Sequence, residues 1–229
     1  MSSQALISLE SVSKFYGQGN QRVEALKEIE LSIQPGEFVT LVGPSGSGKS
    51  TILNIMGLID RVDTGIVRLD GVDVSRYSDS ELARLRRERI GLIFQSFNLI
   101  PILSVAENIG YPLSRSSLRP KHRKERVSTA LAEVGLADLG HRLPNQLSGG
   151  QQQRVAIGRA LVKKPSIILA DEPTANLDSV NGQLIVELLR TLNRHDGVTV
   201  VLASHDERII GIADRAIYLL DGAIRLAAA

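Results

Sequence analysis

The run Gly43-Pro44-Ser45-Gly46-Ser47-Gly48-Lys49-Ser50-Thr51 places glycines, hydroxyls and one lysine at the spacing G-x-x-x-x-G-K-[ST]. Glycines let such a loop wrap with its N–H groups pointing inward, a surface suited to phosphate oxygens. Lys49 is placed to reach the β- and γ-phosphates of a nucleotide, and the Ser50 hydroxyl to ligate Mg²⁺. Further along, Asp171 closes the apolar run Ile167-Ile168-Leu169-Ala170, and Glu172 follows it directly. A carboxylate at a strand end suits a Mg²⁺ shell, while its neighbour, where the chain turns, can address a water in line with the γ-phosphate. A third group, Leu147-Ser148-Gly149-Gly150-Gln151, sets a hydroxyl and flexible backbone amides ahead of the helix-forming run 152–162. That is the make-up of a second phosphate-binding helix end, and Ser148 also suits a plain N-cap.

These groups need strands that end at them. Phe38-Val39-Thr40-Leu41-Val42 is an apolar run of buried-strand length that stops at the glycine-rich loop. Ile52, Leu53, Ile55, Met56 and Ile59 then have helical spacing, so the loop lies between a strand and a helix. A further buried run, 198–203, ends in Ser204-His205-Asp206, and helical spacing at Leu184, Ile185, Leu188, Leu189 and Leu192 precedes it. Alternating strands and helices predict a largely parallel sheet covered on both faces. Segments 5–15 and 29–33 read as short strands, with a Gly/Asn-containing turn at 17–20 between them. Region 96–165, punctuated by Pro101, Pro112, Pro120 and Pro144, lacks a buried-strand run and reads as an inserted helical lobe.

Composition narrows the rest. The 229 residues, 43% hydrophobic and 23% charged, can bury a real core. The absence of cysteine removes disulfides, thiolate metal sites and cysteine nucleophiles. No stretch approaches the ~18 consecutive apolar residues of a membrane-spanning helix, and residues 1–10 show no basic region followed by an apolar run. The expectation is a chain soluble by itself, with any membrane role coming through a partner. A net charge of +2 does not choose among nucleic acid, lipid and neither.

Taken together, the loop, the Leu147–Gln151 group and the Asp171-Glu172 pair, in that order, resemble the nucleotide-binding subunit of an ATP-binding-cassette transporter, over about residues 6–225. The resemblance implies a single α/β domain, residues 1–229. Its P-loop NTPase (RecA-like) core covers 1–95 and 166–229, with an N-terminal antiparallel β subdomain, and the α-helical subdomain at 96–165 carries Leu147–Gln151. It implies ATP and Mg²⁺ as ligands. Gly43, Ser45, Gly46, Ser47, Gly48, Lys49, Ser50 and Thr51 would hold phosphate; Ser50, Gln95 and Asp171 the metal; Tyr16 would stack on adenine. Glu172, His205, Gln95 and Lys49 would serve catalysis, with His205 at the γ-phosphate. Asn176-Leu177-Asp178 would cross a dimer interface, and Ser148, Gly149, Gly150 and Gln151 would close over the ATP of a second copy. Hydrolysis would thus open the pair.

Ser78–Arg87, Phe94–Pro101, Ser104–Ile109 and Ala170–Asp178 are similar to the branch of MacB, LolD and FtsE-like ATPases. That implies an integral-membrane permease as partner, an ATP-dependent homodimer, a place on the cytoplasmic membrane face, no direct membrane insertion and no nucleic acid. Residues 110–124 depart from the branch pattern, and Ala203-Ser204-His205 replaces Val-Thr-His. The rival readings are a soluble DNA-repair or chromosome-maintenance ATPase and a regulator of cell-wall hydrolases. Against the first stand the absent cysteines and the absence of sustained heptads. Two basic runs remain: Arg84, Arg86, Arg87 and Arg89 read as a solvated helix face, and residues 119–126 as an exposed loop and helix start that could approach anionic lipid headgroups.

Overall fold

The computed structural model describes residues 4–17, 22–204 and 206–225. In chain order the strands and helices are β1 (Ile7–Tyr16), β2 (Val23–Ile33), β3 (Phe38–Val42), α1 (Lys49–Met56), β4 (Thr64–Leu69), β5 (Val72–Asp73), α2 (Asp79–Arg89), β6 (Ile90–Ile93), α3 (Val105–Gly110), α4 (Pro120–Glu133), α5 (Gly149–Leu161), β7 (Ile167–Asp171), α6 (Ser179–Asp196), β8 (Thr199–Ala203), α7 (Glu207–Ile212), β9 (Arg215–Leu220) and β10 (Ala223–Arg225). They form two sheets, ordered β2-β1-β4-β5 and β10-β9-β3-β8-β7-β6. The first is antiparallel throughout; in the second, β9, β3, β8, β7 and β6 run parallel and β10 is an antiparallel edge.

The central strands of the larger sheet are mostly apolar and buried along nearly their whole length because both faces are covered, and their side chains alternate between two cores. Val39, Leu41, Ile167, Leu169, Val201 and Ala203 pack with Ile52 and Met56 of α1 and with Leu9, Leu26 and Ile33 of the antiparallel sheet. Phe38, Ile168, Ala170, Val200 and Leu202 face the other way, onto Ile109, Leu131, Val155 and Ile157 of α3–α5 and Ile185 and Leu189 of α6. The helices between β6 and β7 therefore share one core with the sheet.

β2 starts six residues before the expected strand at 29–33. At its outer end it is an edge strand with Val23 and Glu24 exposed, so hydrophobicity alone does not mark it. The expected turn at 17–20 lies almost wholly outside the described residues. Among those residues, no helix is long and apolar enough to cross a membrane.

Candidate nucleotide site

A cleft of about 590 Å³ opens at the C-terminal ends of β3 and β7, where ligand sites of parallel sheets gather. The loop from Gly43 leads out of β3 into α1, whose first turn carries no acidic residue, leaving the positive end of its dipole uncompensated. Gly48 has φ +104°, and a Cβ there would fall 2.7 Å from Leu26 Cδ2 and 2.9 Å from the Ala25 carbonyl oxygen. A Cβ on Gly43 would come within 2.3 Å of the Leu219 carbonyl oxygen. The loop is thus pressed between β2 and β9, and only glycine fits these two positions. Lys49 is buried, and its ammonium donates to the carbonyls of Gly43 (2.7 Å) and Pro44 (3.0 Å), which hold it inside the loop.

Gly43, Ser45, Gly46, Gly48, Lys49, Ser50 and Thr51 line the cleft together with Tyr16, Gln95, Asp171 and Glu172. Ser47 is buried beneath it. Asp171 ends β7, and its Oδ1 is a buried acceptor with no hydrogen-bond partner. An orphaned carboxylate oxygen near a serine hydroxyl and an amide is a hard-oxygen donor set that fits Mg²⁺, an ion that takes few protein ligands and shares its shell with phosphate and water. Among the described residues no cluster of three or more His, Cys, Asp or Glu could hold a metal. Such a cluster is not required where phosphate supplies the remaining oxygens.

Glu172 follows with φ +46°, a left-handed conformation that a β-region strand cannot continue. Its amide donates to the Ala203 carbonyl (3.1 Å), tying it to the end of β8. The turn brings Glu172 to the same cleft as Asp171, although adjacent strand residues point to opposite faces. Gln95 lies two residues past β6, and its carbonyl accepts from Asn176 Nδ2 (3.0 Å). Tyr16 ends β1, and its hydroxyl donates to Asp60 Oδ2 at 2.6 Å. Burial and the Asp60 bond raise the phenol above its usual range, so it stays neutral.

Two expected elements stand outside this lining. Ser148 caps α5 in a capping box with Gln151: the Gln151 amide reaches Ser148 Oγ (3.3 Å) and the Ser148 amide reaches Gln151 Oε1 (3.0 Å). Asp178 caps α6, accepting from the amide (2.9 Å) and Nδ2 (2.6 Å) of Asn181, and these bonds hold its carboxyl below the usual range. His205 lies outside the described residues. Arg159 of α5 went unread in the sequence: it donates to the carbonyls of Phe97 (2.7 Å) and Asn98 (2.5 Å), locking α5 to the segment after Gln95. It looked like any charge on a helix; only the left-handed Phe97 and Asn98, which turn their carbonyls toward it, reveal the role.

Residues 26–175 match the family described as ABC transporter. The chain belongs to that family. It is an ATP-binding cassette and an ATPase. An ABC transporter ATP-binding protein of Methanocaldococcus jannaschii, MJ0796, is 48% identical over 223 residues, covering 96% of this cassette and 95% of that protein. YknY of Bacillus subtilis, also an ABC transporter ATP-binding protein, is 45% identical over 219 residues, 96% and 95% of the two chains. The macrolide export ATP-binding/permease protein MacB of Marinobacter nauticus is 46% identical over 97% of this cassette, which spans 34% of that longer protein. Among solved structures, the dimeric post-hydrolysis state of MJ0796 bound to ADP and Pi superposes with a TM-score of 0.88 at 46% identity, over 96% and 97% of the chains. The architecture is therefore that of the ABC ATPase: a P-loop α/β core, an antiparallel β subdomain and a helical insert.

Proposed function

We propose that the cassette acts as one of two like chains that enclose ATP between them, with hydrolysis coupled to an integral-membrane permease on the cytoplasmic face. The observation that carries this reading is the separation of two phosphate-type elements within one chain. The cleft holds the Gly43–Thr51 loop, while the Ser148–Gln151 helix end is built and capped outside it. Within one chain that element caps α5 and packs against α6; it meets phosphate when a second copy faces the first. The dimeric MJ0796 structures and the fused permease of MacB support the same reading.

In the proposed site the loop amides and Lys49 bind the phosphates, and Tyr16 supports the base. Ser50, Asp171 and Gln95 would hold Mg²⁺, which would neutralise phosphate charge. Glu172 takes a proton from the attacking water, and His205 contacts the γ-phosphate. Asp178 sits at the chain–chain boundary beside the helix end headed by Ser148. A second groove of about 340 Å³, lined by Phe94, Ile100, Tyr111, Pro112, Arg159 and Lys163, flanks the segment after Gln95 and fits a docked helix of the permease.

Mixing Lys49→Ala chains with Ser148→Arg chains tests the shared site. In a mixed pair one composite site carries both defects and the other carries neither, so ATPase activity should return above that of either variant alone. No recovery under conditions where the pair forms would overturn the shared-site reading.

A further inference from the structure

Residues 115–126 carry six cations, Arg115, Arg119, Lys121, Arg123, Lys124 and Arg126, against one carboxylate, Glu125. That is a formal +5 within a chain of net +2, so everything outside the stretch is net acidic by three. The chain's basic bias is concentrated here.

The other basic run serves the fold. On α2, Arg86 donates to the Leu58 carbonyl and Arg89 pairs with Asp70. In residues 115–126 only Arg123 does comparable duty, closing the turn before α4 through the carbonyls of Leu118 (2.9 Å) and Ser116 (3.2 Å). Among the described residues none of the six cations joins an ion pair. Arg115, Arg119, Lys121 and Lys124 are exposed. Lys121, Arg123 and Lys124 also stand in the first turns of α4, which hold no acid in the first turn, at the positive end of the helix dipole where cations are disfavoured. The fold keeps a charge arrangement that its own electrostatics oppose, and an external anionic surface would relieve it.

What borders the stretch selects the surface. Tyr111, 56% exposed, opens the 3₁₀ turn that ends at Arg115. Ile102, 84% exposed, sits in the loop pinned to α3 by Asn108, whose Nδ2 donates to the carbonyls of Ile100 and Leu103. Cations that follow an exposed aromatic on the same turn, with an exposed aliphatic on the loop held to α3, make up a bilayer-interface surface. Single-stranded nucleic acid rewards cations with stacking rings, and an exposed isoleucine gains nothing there.

We propose that residues 115–126, edged by Tyr111, form a contact surface for anionic phospholipid headgroups and lay the helical region against the bilayer without inserting a helix. This goes beyond the coupling reading and does not rest on it, because the contact needs neither ATP nor permease.

The test is sedimentation of the full chain with vesicles of phosphatidylcholine containing about one-third phosphatidylserine, against vesicles of phosphatidylcholine alone. Each cation near an anionic bilayer contributes roughly fivefold in partitioning. The triple variant Arg119→Gln, Lys121→Gln, Lys124→Gln should therefore lose about 100-fold, while Arg84→Gln on α2 stays within about twofold. Wild-type partitioning should fall steeply as salt rises, a readout that needs no variant. Replacing Lys121 and Lys124 by Arg should preserve binding if the charge is what matters. Equal binding to neutral vesicles, salt-indifferent binding, a triple variant that partitions as wild type, or tighter binding to duplex or single-stranded DNA through the same residues would each overturn the proposal. Loss of ATPase recovery in the mixed-chain experiment would leave this result untouched, so the two readings fail separately.

Discussion

A Cβ placed on Gly150 would lie 2.7 Å from Asn181 Oδ1, so the first turn of α5 and the first turn of α6 pack backbone against side chain. Asn181 is itself fixed by both oxygens of Asp178. The glycine after Gly149 therefore serves packing within the chain as well as any approach to phosphate, and it couples the caps Ser148 and Asp178. Gly150→Ala is expected to destabilise the fold by about 1–3 kcal/mol through overpacking. Asn181→Ala should relieve most of that, giving a coupling energy of about 1 kcal/mol or more in a double-mutant cycle read by urea unfolding. Additive single effects would show that the two residues do not meet.

Glu172→Gln is expected to retain ATP binding and lose about 100-fold or more in turnover, since a general base contributes on that order. Equilibrium nucleotide binding and phosphate release measure the two quantities. Size-exclusion chromatography with ATP should show the paired form accumulating. A variant that turns over at near wild-type rate would remove Glu172 from the role of base.

Lys163 donates to the Arg86 carbonyl, and its ammonium is pushed down to about 8, first by burial and then by Arg86 and Arg87. A lysine whose folded value lies below its ordinary one gives up its proton earlier in the folded state. The unfolded chain then binds more protons between pH 8 and the ordinary lysine value, and stability rises with pH across that window. Lys163→Met is expected to stabilise the fold at pH 7 by on the order of 2 kcal/mol. The advantage should shrink as pH rises through the window in thermal melts. A constant advantage from pH 7 to 10.5 would contradict the assignment.

Asp214 accepts from Arg190 Nη2 (2.6 Å) and Nη1 (3.2 Å) and from the Phe38 amide (2.8 Å), and the Arg190 bond is the first cause of its lowered pKa. A carboxylate lowered in the fold contributes stability above its ordinary value, and that contribution is lost as pH falls through the folded value. Asp214→Asn should cost about 1 kcal/mol at pH 7, discounted for a carboxylate half open to solvent. The gap from wild type should close below the ordinary carboxylate range.

The elements that carry the cleft were legible because each is fully buried or bounded by glycine. β3, β7 and the helix after Lys49 read directly from apolar runs and their punctuation. The early half of β2 and the strands β4, β9 and β10 were not legible. They show one buried face or lie at an edge, so their residues alternate or turn polar, as in β9, where only Ile217 and Leu219 are buried. Residue types placed Lys49, Asp171 and Glu172 at one site. They could not place Arg159, whose partners are carbonyls, nor Asp60 beneath Tyr16, because backbone acceptors and loop carboxylates leave no pattern in a sequence.

The phosphate loop is clasped from behind by the last strands. The Gly222 amide donates to the Ser47 carbonyl (3.2 Å), the Lys27 amide donates to the Gly222 carbonyl (2.8 Å), and Leu219 closes on Gly43. Residues 219–222 leave the ribosome about 170 residues after the loop they brace. A growing chain displays the glycine-rich loop long before that brace exists, and Asp171 and Glu172 about 50 residues before it. Competence to grip a nucleotide should thus arrive late and all at once, which spares the cell a half-made ATPase during synthesis.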